Sequence, residues 1–466
     1  MEKVVINLSS DSDKKLYEQV YDKFRNDIES GVMNSGDKMP SLRTLARDND
    51  ISITTVESAY NQLLVEGYIE SRPKSGYYVN SGISTIDKIK KDDSSDNEDF
   101  TLLDKNSDQM LLYDEESFDF YKWKKSMNKV FSKYSHLLRF EAEPAGEQIL
   151  REEIASYLNE SRGMSCLPSD IVIGAGTQNL TNYIIKILSD RGIRRASMEY
   201  PGYDKIKEIF ENSNLELTKI GISGEINASD LGIDRRILYV NPSNHFPTGT
   251  VMPVSTRIEL IKWAKMTDSY IIEDDYDSEL RYFGKPVPPM KTIGDGERVI
   301  YFGSFSTTLF AGINISYMVL PRNLMEDFNR LKDRFTQTCS KTEQLCLAIY
   351  MQAGYYTRTI KKCRKIYASK LKTAMKLFNE YGDGIFSPID SKSGISLMLR
   401  VKTKIKAEDL AEIANRNGML MEPVKELCTP DTKVLCFYFY RVSETMLKIL
   451  IRQYIHTTKR KMEEVK

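Results

Sequence analysis

The sequence predicts an α/β protein in two parts, a small N-terminal module of three helices and a hairpin and a large domain built on a mostly parallel sheet. Three observations lead to this prediction. Apolar residues recur at helical spacing over residues 14–67. A charged, serine-bearing stretch at residues 87–99 is nearly free of large apolar side chains. From residue 108 onward, short apolar runs of strand length alternate with helical stretches, which is the order typical of a mostly parallel sheet covered by helices on both faces.

Composition and charge are those of an ordinary globular protein. Of the 466 residues, 41% are hydrophobic and 28% are charged, and 66 basic side chains balance 66 acidic ones. This balance excludes a disordered or fibrous chain and, over the whole sequence, indicates neither a nucleic-acid nor a membrane partner. Because no run of about 18 apolar residues is present, we expect a cytoplasmic protein. The six cysteines contain no C-x-x-C pair and the three histidines are scattered, which argues against a metal site or a disulfide framework.

The N-terminal module is predicted element by element. Apolar residues at every fourth position over residues 16–28 indicate a first amphipathic helix. Ser41 is the expected N-cap of a short second helix, and a third helix begins near Ser52 and ends at Gly67. Two short β-like runs around a Pro/Gly turn follow at residues 68–79. A helix, a helix-turn-helix and a hairpin in this order predict a winged helix.

This module resembles the DNA-binding domain of the GntR family. The matching phrases are GDKMPSLR at residues 36–43, SITTV at 52–56 and EGYI at 66–69, followed by the Ser-Gly of the wing at 75–76. The resemblance implies a double-stranded DNA operator as partner, with the third helix in the major groove. The DNA contacts that the resemblance implies are Ser41, Arg43, Ser52, Thr54, Thr55, Arg72, Lys74 and Gly76.

Two features of the module depart from a strong DNA binder. Residues 1–80 contain 10 basic and 13 acidic side chains, a net charge of −3, so any positive patch must be local. Ile53 stands where family members often carry an arginine. We therefore expect modest affinity and a corresponding need for dimerisation. A winged helix that serves as a protein-interaction module remains an alternative. The basic residues available for a local patch are Lys38, Arg43, Arg47, Arg72 and Lys74.

The large domain is predicted to carry its ligand-binding residues just after its strands. In sheets of this kind ligands lie at the carboxyl ends of the strands. Residues 174–178 (GAGTQ) follow the first strand and open a helix, and backbone N–H groups at such a corner suit a phosphate. Residues 273–277 (EDDYD) place carboxylates and a phenol after the fifth strand. The predicted strands are residues 170–173, 196–198, 215–220, 236–240, 269–273, 298–302 and 316–320.

Taken in order, these segments resemble the fold-type I aminotransferases, specifically the aminotransferase-like domain of MocR/GabR-type regulators, which is fused to a GntR winged helix. The resemblance covers essentially the whole chain and implies a mostly parallel seven-stranded sheet, a smaller C-terminal α+β subdomain and a site shaped for pyridoxal 5′-phosphate (PLP). The residues that it implies are Gly176, Thr177, Gln178, Ser304 and Ser306 for the phosphate, Tyr203 for stacking on the ring, Asp274 for the ring nitrogen, and Tyr276 with Asn244 or His245 for the ring hydroxyl.

The chain departs from this family where covalent chemistry is needed. The family writes Gly-(Ser/Thr)-Phe-Ser-Lys in a loop that reads GSFST at residues 303–307, so Thr307 stands at the position of the Schiff-base lysine. A hydroxyl cannot form a Schiff base, so we expect no catalytic residue there and non-covalent PLP at best. Asn314 stands at a phosphate-binding arginine, and Cys436 aligns with a carboxylate-binding arginine that nearby Arg441 could replace. Because Thr307, Asn314 and Cys436 all depart from the family pattern, we interpret Thr307 as a natural residue and not as an engineered substitution.

The resemblance divides the chain into a GntR-type winged-helix domain (1–80), a flexible linker (81–107), and large (108–355) and small (356–466) aminotransferase-like domains. It predicts a transcription regulator, not an enzyme. Its second domain would form a homodimer and sense a small molecule, which could be PLP, an amine or amino acid, or their adduct. Two alternatives remain, a PLP-dependent aminotransferase that uses another amine, and a dimerisation scaffold with an empty pocket.

Overall fold

The computed structural model describes residues 4, 6, 8, 14–73, 75–80, 116–221, 226–282, 287–389 and 394–464. The chain divides into two compact units, residues 1–102 and 103–466. The predicted linker at 81–107 and the predicted DNA contact Lys74 lie outside the described residues, and the predicted domain boundaries stay predictions. Within the described ranges, no helix combines the length and the apolar character that a membrane span requires.

The first unit contains the predicted helix, helix-turn-helix and hairpin. The two strands pair antiparallel, with Ile69 opposite Val79 and Arg72 opposite Gly76. Its elements are α1 (Leu16–Glu29), α2 (Leu42–Asp48), α3 (Ile53–Val65), β1 (Ile69–Arg72) and β2 (Gly76–Val79).

One aromatic core holds the helices and the hairpin of this unit together. The Tyr60 ring, fully buried on α3, packs edge-on against Phe24 of α1 at 5.7 Å and against Tyr77 of β2 at 5.2 Å between ring centroids. Its hydroxyl donates to the carbonyl of Pro40 at 3.0 Å. Buried aromatic residues with a satisfied hydroxyl contribute large apolar area without an unpaired polar atom. The third helix, α3, and the hairpin are therefore fixed to each other through Tyr60.

The second unit is built on a seven-stranded sheet with the order β3-β9-β8-β7-β6-β4-β5. All neighbouring pairs are parallel except the two that β9 makes with β3 and β8. All seven predicted strands are confirmed, with bounds that differ by at most two residues. The strands are β3 (Ile171–Ala175), β4 (Arg195–Glu199), β5 (Glu216–Ile220), β6 (Ile237–Val240), β7 (Tyr270–Asp274), β8 (Val299–Ser304) and β9 (Ile315–Val319).

Helices cover both faces of this sheet, as the alternation predicts. On one face, Ile184 of a helix packs with Tyr239 and Phe302 of the sheet. On the other face, Leu260 of a different helix packs with Leu238. The helices of this unit are α4 (Phe120–Lys133), α5 (Gln148–Arg162), α6 (Gly176–Asp190), α7 (Asp204–Asn212), α8 (Val254–Met266), α9 (Arg322–Leu331), α10 (Lys341–Gln352), α11 (Tyr355–Tyr381), α12 (Ala407–Arg416) and α13 (Glu444–Glu464).

A separate antiparallel sheet follows the long helix α11, in agreement with the implied C-terminal α+β region. Its strands have the order β10-β11-β13-β12. Leu399 and Phe437 on this sheet share one buried cluster with Phe378 of α11, Leu410 of α12 and Tyr454 of α13. The strands are β10 (Phe386–Pro388), β11 (Leu397–Lys402), β12 (Met421–Pro423) and β13 (Thr432–Phe437).

Candidate functional site

A cavity of about 440 Å³ lies at the edge of the seven-stranded sheet where the parallel strands end. Because β9 runs antiparallel to both of its neighbours, its first residues lie at this same edge, and Asn314 and Ser316 join the cavity wall. Eight of the nine predicted cofactor-binding residues line the cavity together with Thr307. These residues are Gly176, Thr177, Gln178, Tyr203, Asp274, Tyr276, Ser304, Ser306 and Thr307.

Asn244 is the predicted residue that the structure places elsewhere. It lines a neighbouring cavity of about 10 Å³ with His245, and Tyr276 borders both cavities. Burial lowers the pKa of His245 to about 4, so its imidazole is neutral at pH 7, and its Nδ1 lies 2.7 Å from Thr248 Oγ1. The assignment of Asn244 to a ring hydroxyl stays a prediction.

One end of the cavity is suited to an anion. The helix α6 begins at Gly176 directly after β3, and the first N–H groups of a helix have no acceptor within it. A Cβ at Gly176 would lie 2.8 Å from Asn314 Oδ1. The start of α6 therefore lies against the residue before β9 as closely as a glycine allows. Ser304 Oγ accepts from the Ser306 backbone N–H at 3.3 Å and from Ser316 Oγ at 3.1 Å. The Ser304 O–H can therefore donate into the cavity.

The end of β7 places a buried carboxyl group, which suits a cation, in the same cavity. Asp274 is 5% exposed, and its Oδ2 accepts from the Tyr239 hydroxyl. Its Oδ1 has no hydrogen-bond partner among the described residues. Burial raises the pKa of Asp274 to about 6, although the hydrogen bond from Tyr239 opposes the rise. A buried carboxylate oxygen without a donor is costly, and a cationic N–H group from a ligand would satisfy it.

Aromatic side chains share the cavity with Asp274, and their rings meet edge-on. The ring of Tyr203 lies 6.4 Å from that of Phe246, and Phe246 lies 6.3 Å from Tyr276, between centroids. All three line the cavity, and such faces suit a planar ring.

Thr307 forms part of the cavity wall in front of a second buried carboxylate. The Thr307 hydroxyl has no hydrogen bond of ordinary geometry within the described residues. It lies beside Asp277, which is 1% exposed and adopts the left-handed conformation with φ 59°. Burial raises the pKa of Asp277 to about 7, against a lowering by the neighbouring Thr307 hydroxyl. Neither Asp277 oxygen accepts a well-formed hydrogen bond from the described residues.

Lys205, at the start of α7, is the cation that lines the cavity within the described part of the chain. Sequence reasoning missed it, although it lies two residues from the predicted Tyr203. Cys436 is buried in β13 and is absent from the cavity wall, as is Arg441, whereas Tyr438 lines it. The other lining residues, which the predicted set of cofactor-binding residues does not contain, are Ala175, Asn241, Phe246, Ala311, Ile395 and Ser316.

The predicted DNA contacts lie mostly on the exposed surface of the first unit. Ser52 Oγ accepts from the Thr55 N–H at 3.0 Å and lies 2.7 Å from the hydroxyl oxygens of both Thr54 and Thr55. Ser41 likewise caps α2, so these serines fix helix starts as well as facing solvent. The predicted contacts that are exposed are Ser41, Arg43, Ser52, Thr54, Arg72 and Gly76, and Thr55 is half-buried.

The wing carries a small basic cluster around one aromatic ring. The Arg72 guanidinium carbon lies 4.3 Å and the Lys38 ammonium nitrogen 5.7 Å from the centroid of the Tyr78 ring. The Tyr78 hydroxyl lies 2.7 Å from Ser75 Oγ. This arrangement brings two basic side chains to one ring in a unit whose overall charge is negative, and Arg72 also pairs with the Glu70 carboxylate at 2.7 Å.

Known proteins are similar to this chain over both of its units. The family model for bacterial regulatory proteins of the gntR family matches residues 16–79. The chain is 33% identical over 447 residues to the HTH-type transcriptional regulator YdeL of Bacillus subtilis (strain 168), covering 94% of this chain and 95% of the relative. It is 28% identical over 435 residues to the probable rhizopine catabolism regulatory protein MocR of Rhizobium meliloti, covering 90% and 88% respectively.

One solved structure resembles most of the chain. The kynurenine aminotransferase of Pyrococcus horikoshii superposes with a TM-score of 0.63 at 21% identity, over 76% of this chain and 90% of that one. At this identity the likeness shows a shared fold.

Proposed function

Since this chain belongs to the GntR-type helix-turn-helix transcriptional regulators that carry an aminotransferase-like domain, we propose that its cavity senses a phosphorylated pyridine of the PLP type without catalytic turnover. Binding of an operator by the first unit and of this ligand by the second would be coupled, so that each changes the affinity of the other. We also propose that the second unit forms a homodimer, which presents two winged helices to a repeated half-site.

The observation that carries the ligand proposal is the unpaired, buried Oδ1 of Asp274 in a cavity that also offers an anion-binding end. The residues fit the group. Asp274 would hold a ring N–H, Tyr203 would cover the ring face, and Ser304 and Ser306 with the start of α6 would hold a phosphate. When bound, PLP would supply an electron-withdrawing pyridinium ring. The side chains present would bind and orient it.

The absence of turnover is proposed from Thr307. Transamination needs an amine that holds the aldehyde and then moves the substrate proton. The loop at residues 303–309 contains no lysine, and a threonine hydroxyl does neither task at neutral pH.

One observation favours a second candidate function. Lys205 lines the same cavity, so its amine is available to an aldehyde. If Lys205 takes the place of the missing lysine, the chain is an aminotransferase or a related enzyme.

A single experiment separates the two candidates. PLP is titrated into the full-length protein, its absorption spectrum is followed, and the mixture is treated with borohydride and analysed by peptide mass spectrometry. The sensor predicts saturable binding with no reducible link. A stoichiometric phosphopyridoxyl group on Lys205, lost in Lys205→Arg, would instead establish the enzyme candidate. Lys207→Arg, two residues further along α7, is the matched control. No binding at all would favour a dimerisation scaffold.

A further inference from the structure

Two buried carboxyl groups, one on the cavity wall and one behind it, have oxygens that accept no hydrogen bond of ordinary geometry from the described residues. They are Asp274 Oδ1 and both oxygens of Asp277, and the Thr307 hydroxyl lies beside Asp277. Asp274 and Asp277 are 5% and 1% exposed, so bulk water does not satisfy them. One ring N–H can pair with Asp274. A second donor is needed for Asp277.

No positive charge in the described part of the chain acts on Asp277. The charged groups that influence its carboxyl are Glu279 and Asp274, and both are acidic. The other titratable groups that face it are the phenols of Tyr276 and Tyr282, whose own pKa values it raises. Buried carboxylates in folded proteins are ordinarily paired with a cation or bonded by several donors. Among the residues that the structure describes, Asp277 has no cation beside it, and the Thr307 hydroxyl is the donor that lies next to it.

The position of Thr307 shows from which side a cation can reach Asp277. Thr307 lines the cavity, and its buried hydroxyl lies beside the Asp277 carboxylate. A threonine side chain is also much shorter than the lysine that the resemblance to aminotransferases implies for this position. It therefore leaves room for an amine that arrives with the ligand instead of with the protein.

We propose that Thr307 and Asp277 form a subsite for a primary ammonium group of the ligand, so that the cavity prefers an aminomethyl phosphopyridine to the corresponding aldehyde or alcohol. This inference rests on the proposed function of the cavity as a phosphopyridine site. The ammonium donates to the Thr307 hydroxyl oxygen and lies in the field of the Asp277 carboxylate, while the ring N–H pairs with Asp274. No covalent bond forms or breaks, and the ligand supplies the amine that position 307 lacks.

Three probes that differ in one substituent test the preference in the full-length protein. Pyridoxamine 5′-phosphate carries the ammonium, pyridoxine 5′-phosphate carries a hydroxyl, and PLP carries the aldehyde. Their affinities are measured by isothermal titration calorimetry at pH 8 in an amine-free buffer. We expect pyridoxamine 5′-phosphate to bind at least tenfold more tightly than pyridoxine 5′-phosphate.

Substitutions at Asp277 and Thr307 test whether the preference for the amine arises at the proposed subsite. Asp277→Asn should remove the tenfold advantage of the amine and leave the affinity for pyridoxine 5′-phosphate unchanged. Thr307→Val, which keeps the shape of the side chain and removes the hydroxyl, should reduce the advantage severalfold. Asp204→Asn makes the same chemical change at an exposed carboxylate next to Lys205 and should alter neither affinity. Circular dichroism melting of each variant confirms that it is folded.

The outcomes separate this inference from the function on which it rests. Equal affinities for the amine and the alcohol, or an advantage that survives in Asp277→Asn, would overturn the ammonium subsite and leave the phosphopyridine site standing. If none of the three probes binds, the phosphopyridine site and the subsite both fail. An advantage lost in Asp277→Asn and kept in Asp204→Asn supports the inference.

Discussion

At the scale of single residues, two side chains of the second unit carry the proposed function. Asp274 is buried at a strand end with one oxygen that accepts no ordinary hydrogen bond from the described residues, and Thr307 places a hydroxyl where the family resemblance implies a lysine. Two predictions at this scale concern what each of these side chains does to the folded protein and to its ligand.

The first prediction concerns the effect of Asp274 on stability. Burial raises its pKa from the ordinary value of 3.8 to about 6. A carboxyl whose folded-state pKa is raised stabilises the fold at low pH, and this contribution is lost as the pH rises through the folded-state pKa. Relative to wild type, Asp274→Asn should therefore gain up to about 3 kcal/mol of unfolding free energy between pH 4 and about pH 7. Urea denaturation across this range measures the difference.

The control for this change is Asp230→Asn, which makes the same substitution at an exposed carboxyl in the same unit. A flat difference for Asp274→Asn would show that its carboxyl titrates normally. The same variant should bind pyridoxine 5′-phosphate at least tenfold more weakly than wild type, because a neutral amide at this position cannot pair with the charge of a protonated ring nitrogen.

The second prediction is that an amine at position 307 restores covalent binding. Thr307→Lys, with PLP added, should develop the absorption band of an aldimine and incorporate one phosphopyridoxyl group per chain after borohydride reduction. The reason is that the proposed site would hold the ring and phosphate and that Asp277 lies beside position 307. Thr307→Met, of similar length without an amine, should do neither. Failure of Thr307→Lys to trap PLP would argue that the cavity does not hold its ring near this loop.

At the scale of elements, β8 and β9 approach each other closely next to Ser304 and Ser316, which line the cavity. A Cβ at Gly303 in β8 would lie 2.3 Å from the Tyr317 ring of β9. We expect Gly303→Ala to lower the unfolding free energy by about 2 kcal/mol or more, because a closely packed interior does not accommodate the methyl group. Gly312→Ala is the matched control, since a Cβ there meets only Phe310 at 3.9 Å. Similar melting temperatures for the two variants would contradict this account.

The wing is the second element that makes a testable contribution. Arg72 stacks on Tyr78 and is exposed, so it is placed to contact a DNA phosphate. Arg72→Ala should weaken binding to all sequences about equally and reduce the slope of log affinity against log salt by about 1. Lys23→Ala in α1, where the lysine pairs with Asp27 at 2.6 Å, is the control. An unchanged slope in Arg72→Ala would remove the wing from the proposed interface.

At the scale of the whole molecule, regulation requires that two winged helices act together. The net charge of −3 over residues 1–80 predicts weak binding by a single module, which dimerisation would offset. Selection from random DNA should therefore return a motif that occurs twice at fixed spacing. Removal of one copy should lower the affinity at least tenfold, whereas scrambling of the spacer at constant length should not. A single unrepeated motif would contradict the dimeric operator complex.

The amount that the sequence predicts depends on how local the signal is. The strands and helices were predicted because apolar periodicity belongs to each segment by itself, as in β7 and α6. Eight of the nine positions that the family resemblance implies line one cavity, because strand ends of a parallel sheet meet at one edge. The resemblance also implied Asn244, but its loop turns toward Gly394, where a Cβ would lie 2.9 Å from Asn244 Nδ2.

By itself, the sequence determined the element order and the family, and it placed Thr307 where the family resemblance implies a lysine, since each of these is written in contiguous residues. Only the tertiary structure decided which distant side chains meet there. Lys205, Ile395 and Tyr438 reach the same cavity from separate parts of the chain, and Asp277 lies buried behind Thr307 with no cation beside it among the described residues. Burial and charge pairing depend on all the elements packed around a residue, so a local pattern could identify the missing lysine but not the unpaired carboxylate.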